Sequence, residues 1–327
     1  MAVGAALIAR ETARRRRAMD FAGKVVVITG GSRGLGLVLA RRFAREGARL
    51  AILAEHEGPL GSALMELSAG GAEVQAIVCD VRDREAVGAA IETIVARFGG
   101  IDVVVNNAGV IQVGPFANMA YEDFQRAMDV HYWGALHVIM AVLPHLRVSA
   151  GRIANIASIG GKLPVPHLAA YSASKFALVG LSETLRAELL PEGVRVTTVA
   201  PGLMRTGSPR NISVKGDHDD EYGWFVLAGS LPGVSIGAER AADQIVDAVR
   251  HGDASLTITP LARLGAALEG VAPGLVATLN GFVNRLLPSP AGPEGNVAQR
   301  GAESRPSWLP GFATALTDRA AARNNEL

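Results

Sequence analysis

The chain predicts an α/β fold, a doubly wound parallel sheet with helices on both faces and added C-terminal helices. Three observations point there. Short runs rich in β-branched and apolar residues recur along the first 260 positions. Segments of helical periodicity separate them. The runs are apolar throughout rather than alternating, as strands buried on both faces are. Strands alternating with helices of this length imply parallel pairing through right-handed crossovers.

The elements follow in order. Residues 1–20 form a segment of their own: MAVGAALIA is apolar and the stretch ending at Arg17 is basic. A secretory signal carries its charge ahead of the apolar run, the reverse of this order. About ten residues are too few to span a bilayer. Two readings stay open: a solvated terminus, or a peripheral contact with an anionic lipid interface. Residues 21–260 form the main domain. Its first buried strand is 24–29, KVVVIT, and 49–53, 73–78, 102–105, 152–156 and 195–199 follow. Residues 256–259 are a seventh candidate. Ala86, Val87, Ala90, Ile91, Ile94, Val95 and Phe98 have helical spacing, as do Leu178, Leu181, Leu185 and Leu189.

Past Pro201 the rhythm breaks. Residues 202–237 are rich in Gly, Pro and Ser yet carry Leu203, Met204, Tyr222, Trp224 and Phe225. A long loop in a compact domain is usually a lid or binding loop. A helix is expected over 238–250. Residues 261–287 predict one or two apolar helices, a second candidate for membrane contact. Residues 288–327 predict a flexible tail, ordered only where it docks.

The 327 residues are 49% hydrophobic and 19% charged, enough for a sizeable core. A net charge of +1 does not argue for a nucleic-acid partner. Cys79 is the single cysteine, so no internal disulfide forms, and no zinc-type Cys/His spacing occurs. No metal is expected. A reducing, cytoplasmic location fits, with membrane association left open.

Chemistry concentrates after strand ends. The first strand runs into Gly30, Gly31, Ser32, Arg33, Gly34, Leu35 and Gly36, then an amphipathic helix. Glycines let backbone turn tightly against a pyrophosphate, and a helix N-terminus presents N–H groups and positive potential. Asn106, Asn107, Ala108 and Gly109 follow the fourth strand, Ser158 the fifth, and Pro201 and Gly202 the sixth. Open α/β sheets bind ligands at these ends. Tyr171 and Lys175 stand four apart, on one face of a helix. A free phenol has a pKa of about 10, and bringing it near 7 needs roughly 4 kcal/mol of differential stabilisation. A lysine ammonium nearby acts in that direction.

This set resembles the short-chain dehydrogenase/reductase family, in its shorter single-domain form. The resemblance spans residues 21–259 and implies a Rossmann-like fold and hydride transfer between a nicotinamide cofactor and a secondary alcohol or ketone. By that resemblance Tyr171 is the general acid or base, Lys175 supports it and holds the nicotinamide ribose, and Ser158 binds the substrate oxygen. Gly30, Ser32, Arg33, Gly34, Leu35, Gly36, Asn107, Ala108, Gly109, Pro201, Gly202 and Thr206 would contact the cofactor, as would Asp80 and Val81 at the adenine. For Asp80 a plain helix N-cap is the alternative. The resemblance also implies a homo-oligomer. One position departs from it: His131 stands where many members carry a relay asparagine. Proton relay and simple packing are both open for it.

The cofactor is NAD or NADP. Ala54 occupies the usual NAD-selecting position and Glu55 follows. A carboxylate there would accept from ribose hydroxyls and repel a 2′-phosphate, whereas Arg33 could pair with that phosphate. The lean is to NAD. Pro164, Pro166, Leu203, Trp224 and Phe225 suggest an apolar small-molecule substrate, steroid-, retinoid- or lipid-like. Ordinary lid packing is the alternative for them. A dinucleotide-binding sensor or scaffold without turnover is a second reading of the whole.

Overall fold

A computed structural model describes residues 9, 11–231 and 234–327. The apolar run 1–8 and lid positions 232 and 233 lie outside the described residues. The main sheet has seven strands: β1 (Val25–Thr29), β2 (Arg49–Ala54), β3 (Val74–Val78), β4 (Val103–Asn106), β5 (Arg152–Ile156), β6 (Arg195–Pro201) and β7 (Ser255–Ile258). Their order across the sheet is β7-β6-β5-β4-β1-β2-β3, and every pairing is parallel. The chain reverses direction between β1 and β4, and that crevice faces the strand C-termini.

Burial explains the strand composition. All five side chains of β1 are buried, and so are all five of β5. Each fully buried valine or isoleucine contributes roughly 1.5–3 kcal/mol of apolar transfer. One face packs against α1 (Gly34–Arg45), α2 (Glu57–Ala69) and α8 (Ala238–His251). The other packs against α3 (Arg84–Phe98), α5 (Gly134–Ser149) and α6 (Ala169–Leu189), with α4 (Tyr121–Met128) against α6. Asp83 caps α3 by accepting from the N–H groups of Glu85 and Ala86. The cap is thus Asp83 and not Asp80. Between α4 and α5 the residues Asp129–Trp133 make a π-helical turn.

Within the expected lid the structure places a helix, α7 (His218–Ser230), capped by Asp217. Its Gly223 and Gly229 and its lack of a single apolar stripe hide it from periodicity. Residues 261–287 become two helices, α9 (Pro260–Val271) and α10 (Pro273–Asn284). Many of their large apolar side chains are exposed, among them Leu264, Val271 and Phe282. No helix among the described residues is long and apolar enough to cross a membrane.

The described parts of both terminal segments are docked. Residues 11–16 are helical, and Arg14 pairs with Asp247 at 2.5 Å and Asp253 at 2.8 Å. Residues 288–327, expected as a flexible tail, run back along the lid. Gln299–Arg300 pair with Ser213–Val214. The Trp308 indole donates to Asp220 at 2.7 Å. Helix α11 (Gly311–Arg323) packs on α7, with Ser230 and Thr317 hydroxyls 2.7 Å apart in the buried interface. Scattered proline and small residues gave that segment no core-like pattern, so its order depends wholly on the surface it meets.

Candidate active site

The glycine-rich turn is built by close approach. A Cβ on Gly36 would stand 2.0 Å from the Gly30 carbonyl oxygen, so only glycine lets α1 start there. Gly30 and Gly34 have φ of +64° and +54°, in the left-handed region that glycine enters without strain. The loop after β4 locks the turn: Asn107 Nδ2 donates to the carbonyls of Thr29 and Gly30, and the N–H groups of Asn107 and Ala108 donate to Thr29 Oγ1. These bonds hold the loop after β4 against the turn on the crevice side of the sheet. Gly202 closes on Thr259, whose Oγ1 would lie 2.6 Å from an added Cβ. Thr206 is buried and its hydroxyl donates to Ser208.

The second half of the site comes from β5 and α6. Ser158 lies just past β5, and its Oγ accepts from Gly160 N–H. Tyr171 is in the first turn of α6, with its ring against Gly160, two residues past Ser158. Lys175 lies one turn on, buried, with Nζ donating to the Ile156 carbonyl at 2.9 Å and 5.7 Å from the Tyr171 ring centre. Gly160 and Gly161 permit this packing, since a Cβ on Gly161 would meet the Lys175 backbone at 2.6 Å.

The electrostatics differ from the expectation of a lowered phenol. Burial pushes the Tyr171 phenol up, and the nearby Ser158 hydroxyl opposes this. Burial pushes Lys175 down to about 7, so near neutral pH it carries only part of its charge. The phenol is therefore held in its protonated, donating form.

His131 sits at the π-helical turn with both ring nitrogens engaged. Nε2 accepts from Val110 N–H at 3.1 Å, which leaves the proton on Nδ1, 2.7 Å from Ser174 Oγ. Ser174 in turn donates to the Tyr171 carbonyl. The imidazole edge meets the Tyr171 ring at 5.4 Å and 89°. Burial and the neighbouring Lys175 hold the ring well below the usual imidazole range.

Just past the end of β2, Glu55 is exposed and accepts from Arg82 at 3.1 Å. Arg82 also grips Asp80 and keeps that carboxyl below its usual range. Sequence reasoning missed Arg82, two residues past Asp80, because only folding brings it to Glu55. Val81 packs on Gly134 and its carbonyl meets His137. Arg33 is turned across the cleft, donating to Asn211 Oδ1 at 3.0 Å. Cys79 is buried, its thiol pushed up to about 11 by burial.

Beside Tyr171 stands an apolar wall of Ile111, Val165, Leu168, Tyr222, Trp224 and Phe225. Behind it the lid is latched. Glu221, fully buried, accepts from Trp224 Nε1 at 2.8 Å and meets His167 Nδ1 at 2.7 Å. His167 and Glu221 went unnoticed as a pair because 54 positions separate them.

A dinucleotide crevice joined to a Ser-Tyr-Lys cluster defines a nicotinamide-dependent oxidoreductase architecture. The family follows from comparison with known proteins. The short chain dehydrogenase model matches residues 24–215, more than half of the chain, and the chain belongs to that family. It is 37% identical over 246 residues to SadH of Mycobacterium tuberculosis, an oxidoreductase whose activity is only provisionally assigned; the match covers 73% of this chain and 87% of that one. It is 37% identical over 191 residues to 3beta-hydroxysteroid dehydrogenase 1 of Eggerthella lenta, covering 57% and 73%. Among solved structures it resembles a Burkholderia phymatum family member in complex with NAD (TM-score 0.72, 26% identity, 79% and 96% covered). It also resembles L-sorbose reductase of Gluconobacter frateurii with NADPH and L-sorbose (TM-score 0.66, 27% identity, 74% and 97% covered).

Proposed function

We propose that the protein catalyses reversible hydride transfer between NAD and an apolar secondary alcohol or ketone. The observation that supports this most is the grouping of Ser158 and Tyr171 with buried Lys175 beside them, at the β5 end of the crevice. The glycine turn suits a pyrophosphate, because its close approaches leave no room for a Cβ. Gly30, Ser32, Arg33, Gly34, Leu35 and Gly36 would hold that group, Asp80 and Val81 the adenine, and Lys175 the nicotinamide ribose. Asn107, Ala108, Gly109, Pro201, Gly202 and Thr206 complete the cleft. When bound, the nicotinamide supplies or takes up the hydride. Tyr171 gives its proton to the substrate oxygen in reduction and takes it back in oxidation. Ser158 donates a hydrogen bond to the same oxygen, favouring the charge that builds there.

His131 is a positioning residue in this reading. With both nitrogens bonded it fixes the loop after β4 against α6 and braces the Tyr171 ring. The lean to NAD rests on local charge: Glu55 and Asp80 outnumber Arg82 by one. The apolar wall supports a steroid-like, retinoid-like or lipid ketone. The exposed apolar faces of α9 and α10 support a subunit or peripheral lipid contact.

A panel of ketones and alcohols run with both NAD(H) and NADP(H) tests the proposal. Tight cofactor binding with no turnover across the panel would instead mean a sensor. Glu55→Gln should shift the kcat/KM ratio towards NADP, and Arg33→Ala towards NAD, each by about one order of magnitude. An unchanged ratio in Glu55→Gln would mean that this carboxylate does not read the ribose.

A further inference from the structure

The glycine-rich turn already has an occupant from the same chain. The Gly34 N–H, at the start of α1, donates to the Asn324 carbonyl at 2.9 Å. Asn325, left-handed at φ 58°, donates from Nδ2 to the carbonyls of Ser32 and Pro59, each at 2.9 Å. Glu326 then turns its carboxyl group into the cleft. Oε2 accepts from Gly207 N–H at 2.5 Å and Oε1 from Ser208 Oγ at 3.2 Å. Oε1 lies 3.1 Å from where a Cβ on Gly34 would be, within the field of Arg33. Asn324 and Glu326 are buried. A second set of bonds secures the approach: Arg41 donates to Asn324 Oδ1 and to the Arg323 carbonyl.

These contacts use what a pyrophosphate would use. The first N–H groups of a helix after a glycine turn are the donors that recognise phosphate. A carboxyl group presents a pair of oxygens in the acceptor geometry of a phosphate oxygen pair. Both cannot stand against Gly34, since the space and the donor are single.

We propose that residues 324–326 are a built-in competitor of the dinucleotide: docked on the glycine-rich turn they hold the pyrophosphate position, and they leave it when the cofactor binds. The inference rests on the reading of that turn as the cofactor site. The segment is the end of a strap. Upstream, α11 and residues 305–308 are bonded to the lid helix α7. Release at the turn therefore loosens the cover of the substrate wall, and cofactor entry and lid opening are coupled. A closed state that must open first weakens apparent affinity by the fraction open.

The test is calorimetric titration of NAD and NADP into the full chain, a deletion of residues 324–327, and Glu326→Ala. Hydrogen exchange of peptides spanning 318–327 is followed with and without cofactor. The expected result is that the deletion tightens cofactor binding at least about fivefold, with Glu326→Ala, which loses the contacts to Gly207 and Ser208, in between. Amides at 320–326 should lose protection when cofactor is added to the full chain. Equal affinity within twofold in all three proteins overturns the proposal, as does full protection of these amides at saturating cofactor. If the deletion does not fold, Glu326→Ala and the exchange data on the full chain decide alone. If no form binds either dinucleotide, the cofactor reading itself falls and the competitor with it. Binding seen only after deletion supports both.

Discussion

In the proposed reaction, Tyr171 is the residue on which the chemistry turns. Tyr171→Phe keeps the ring and its edge contact with His131 but removes the proton. Turnover should fall at least about 100-fold, the lower end of general acid–base contributions, while cofactor affinity stays within a few-fold. Near-normal turnover in that variant would remove Tyr171 from the mechanism. His131 gives a sharper contrast. His131→Ala leaves Val110 N–H and the Ser174 hydroxyl without their partner in a buried place. We expect a stability loss of about 2–4 kcal/mol in urea denaturation and reduced turnover with an unshifted pH–rate profile. His131→Asn, which can restore one of the two bonds, should recover part of both. A displaced pH profile in either variant would return proton relay to the imidazole.

At the scale of elements, the lid helix matters most. α7 meets the body through a buried Glu221 that binds His167 and the Trp224 indole. Removing one member of such a group strands the others, which costs about 3–5 kcal/mol. Glu221→Ala should therefore destabilise the protein by several-fold more than Glu221→Gln, which keeps an acceptor for Trp224. Paired urea melts measure the difference, and equal, small losses would show that the latch holds nothing. The glycine turn shows how element and site are one object. Gly36 is required by the packing of α1 on β1 and by the same geometry that opens the turn to phosphate.

At the scale of the molecule, the proposed competition between strap and cofactor would tie cofactor binding to pH. Burial raises the Glu326 acid from its ordinary 4.5 to about 7, with the Gly207 N–H, the Ser208 hydroxyl and the Arg33 guanidinium opposing. Arg33 is the charged group acting on it from the turn, and the 206–208 loop offers only N–H and O–H donors. The docked form holds its proton more tightly than the released form. Docking is thus strongest below pH 4.5, weakens as pH rises to about 7, and is constant above. The difference amounts to about 3 kcal/mol at most. The pyrophosphate of NAD does not titrate in this window. NAD affinity should rise at least about tenfold from pH 5 to 7.5 in the full chain and stay flat once 324–327 are deleted. A flat profile in both would mean that Glu326 does not titrate in the cleft.

The sequence by itself determined the parts whose signal is local. β1 and its neighbours β2 and β4 are apolar runs because both sheet faces are covered there, and that shows in composition, whereas the edge strand β3 is only partly buried. The glycine turn shows because no other residue fits its close approaches. Tyr171 and Lys175 show because one helix turn places them together. Tertiary structure decided what depends on partners distant in the chain. Arg82 reaches Glu55 across 27 positions, and His167 reaches Glu221 across 54. Whether burial or a nearby charge governs Tyr171 depends on how much protein surrounds the phenol, which no spacing encodes. Helix α7 carries no single apolar stripe because it is sandwiched between the body and α11. The segment 288–327 has too little apolar content to predict its own order. It is ordered by the lid and the glycine turn, and only the folded molecule brings Glu326 to Gly34.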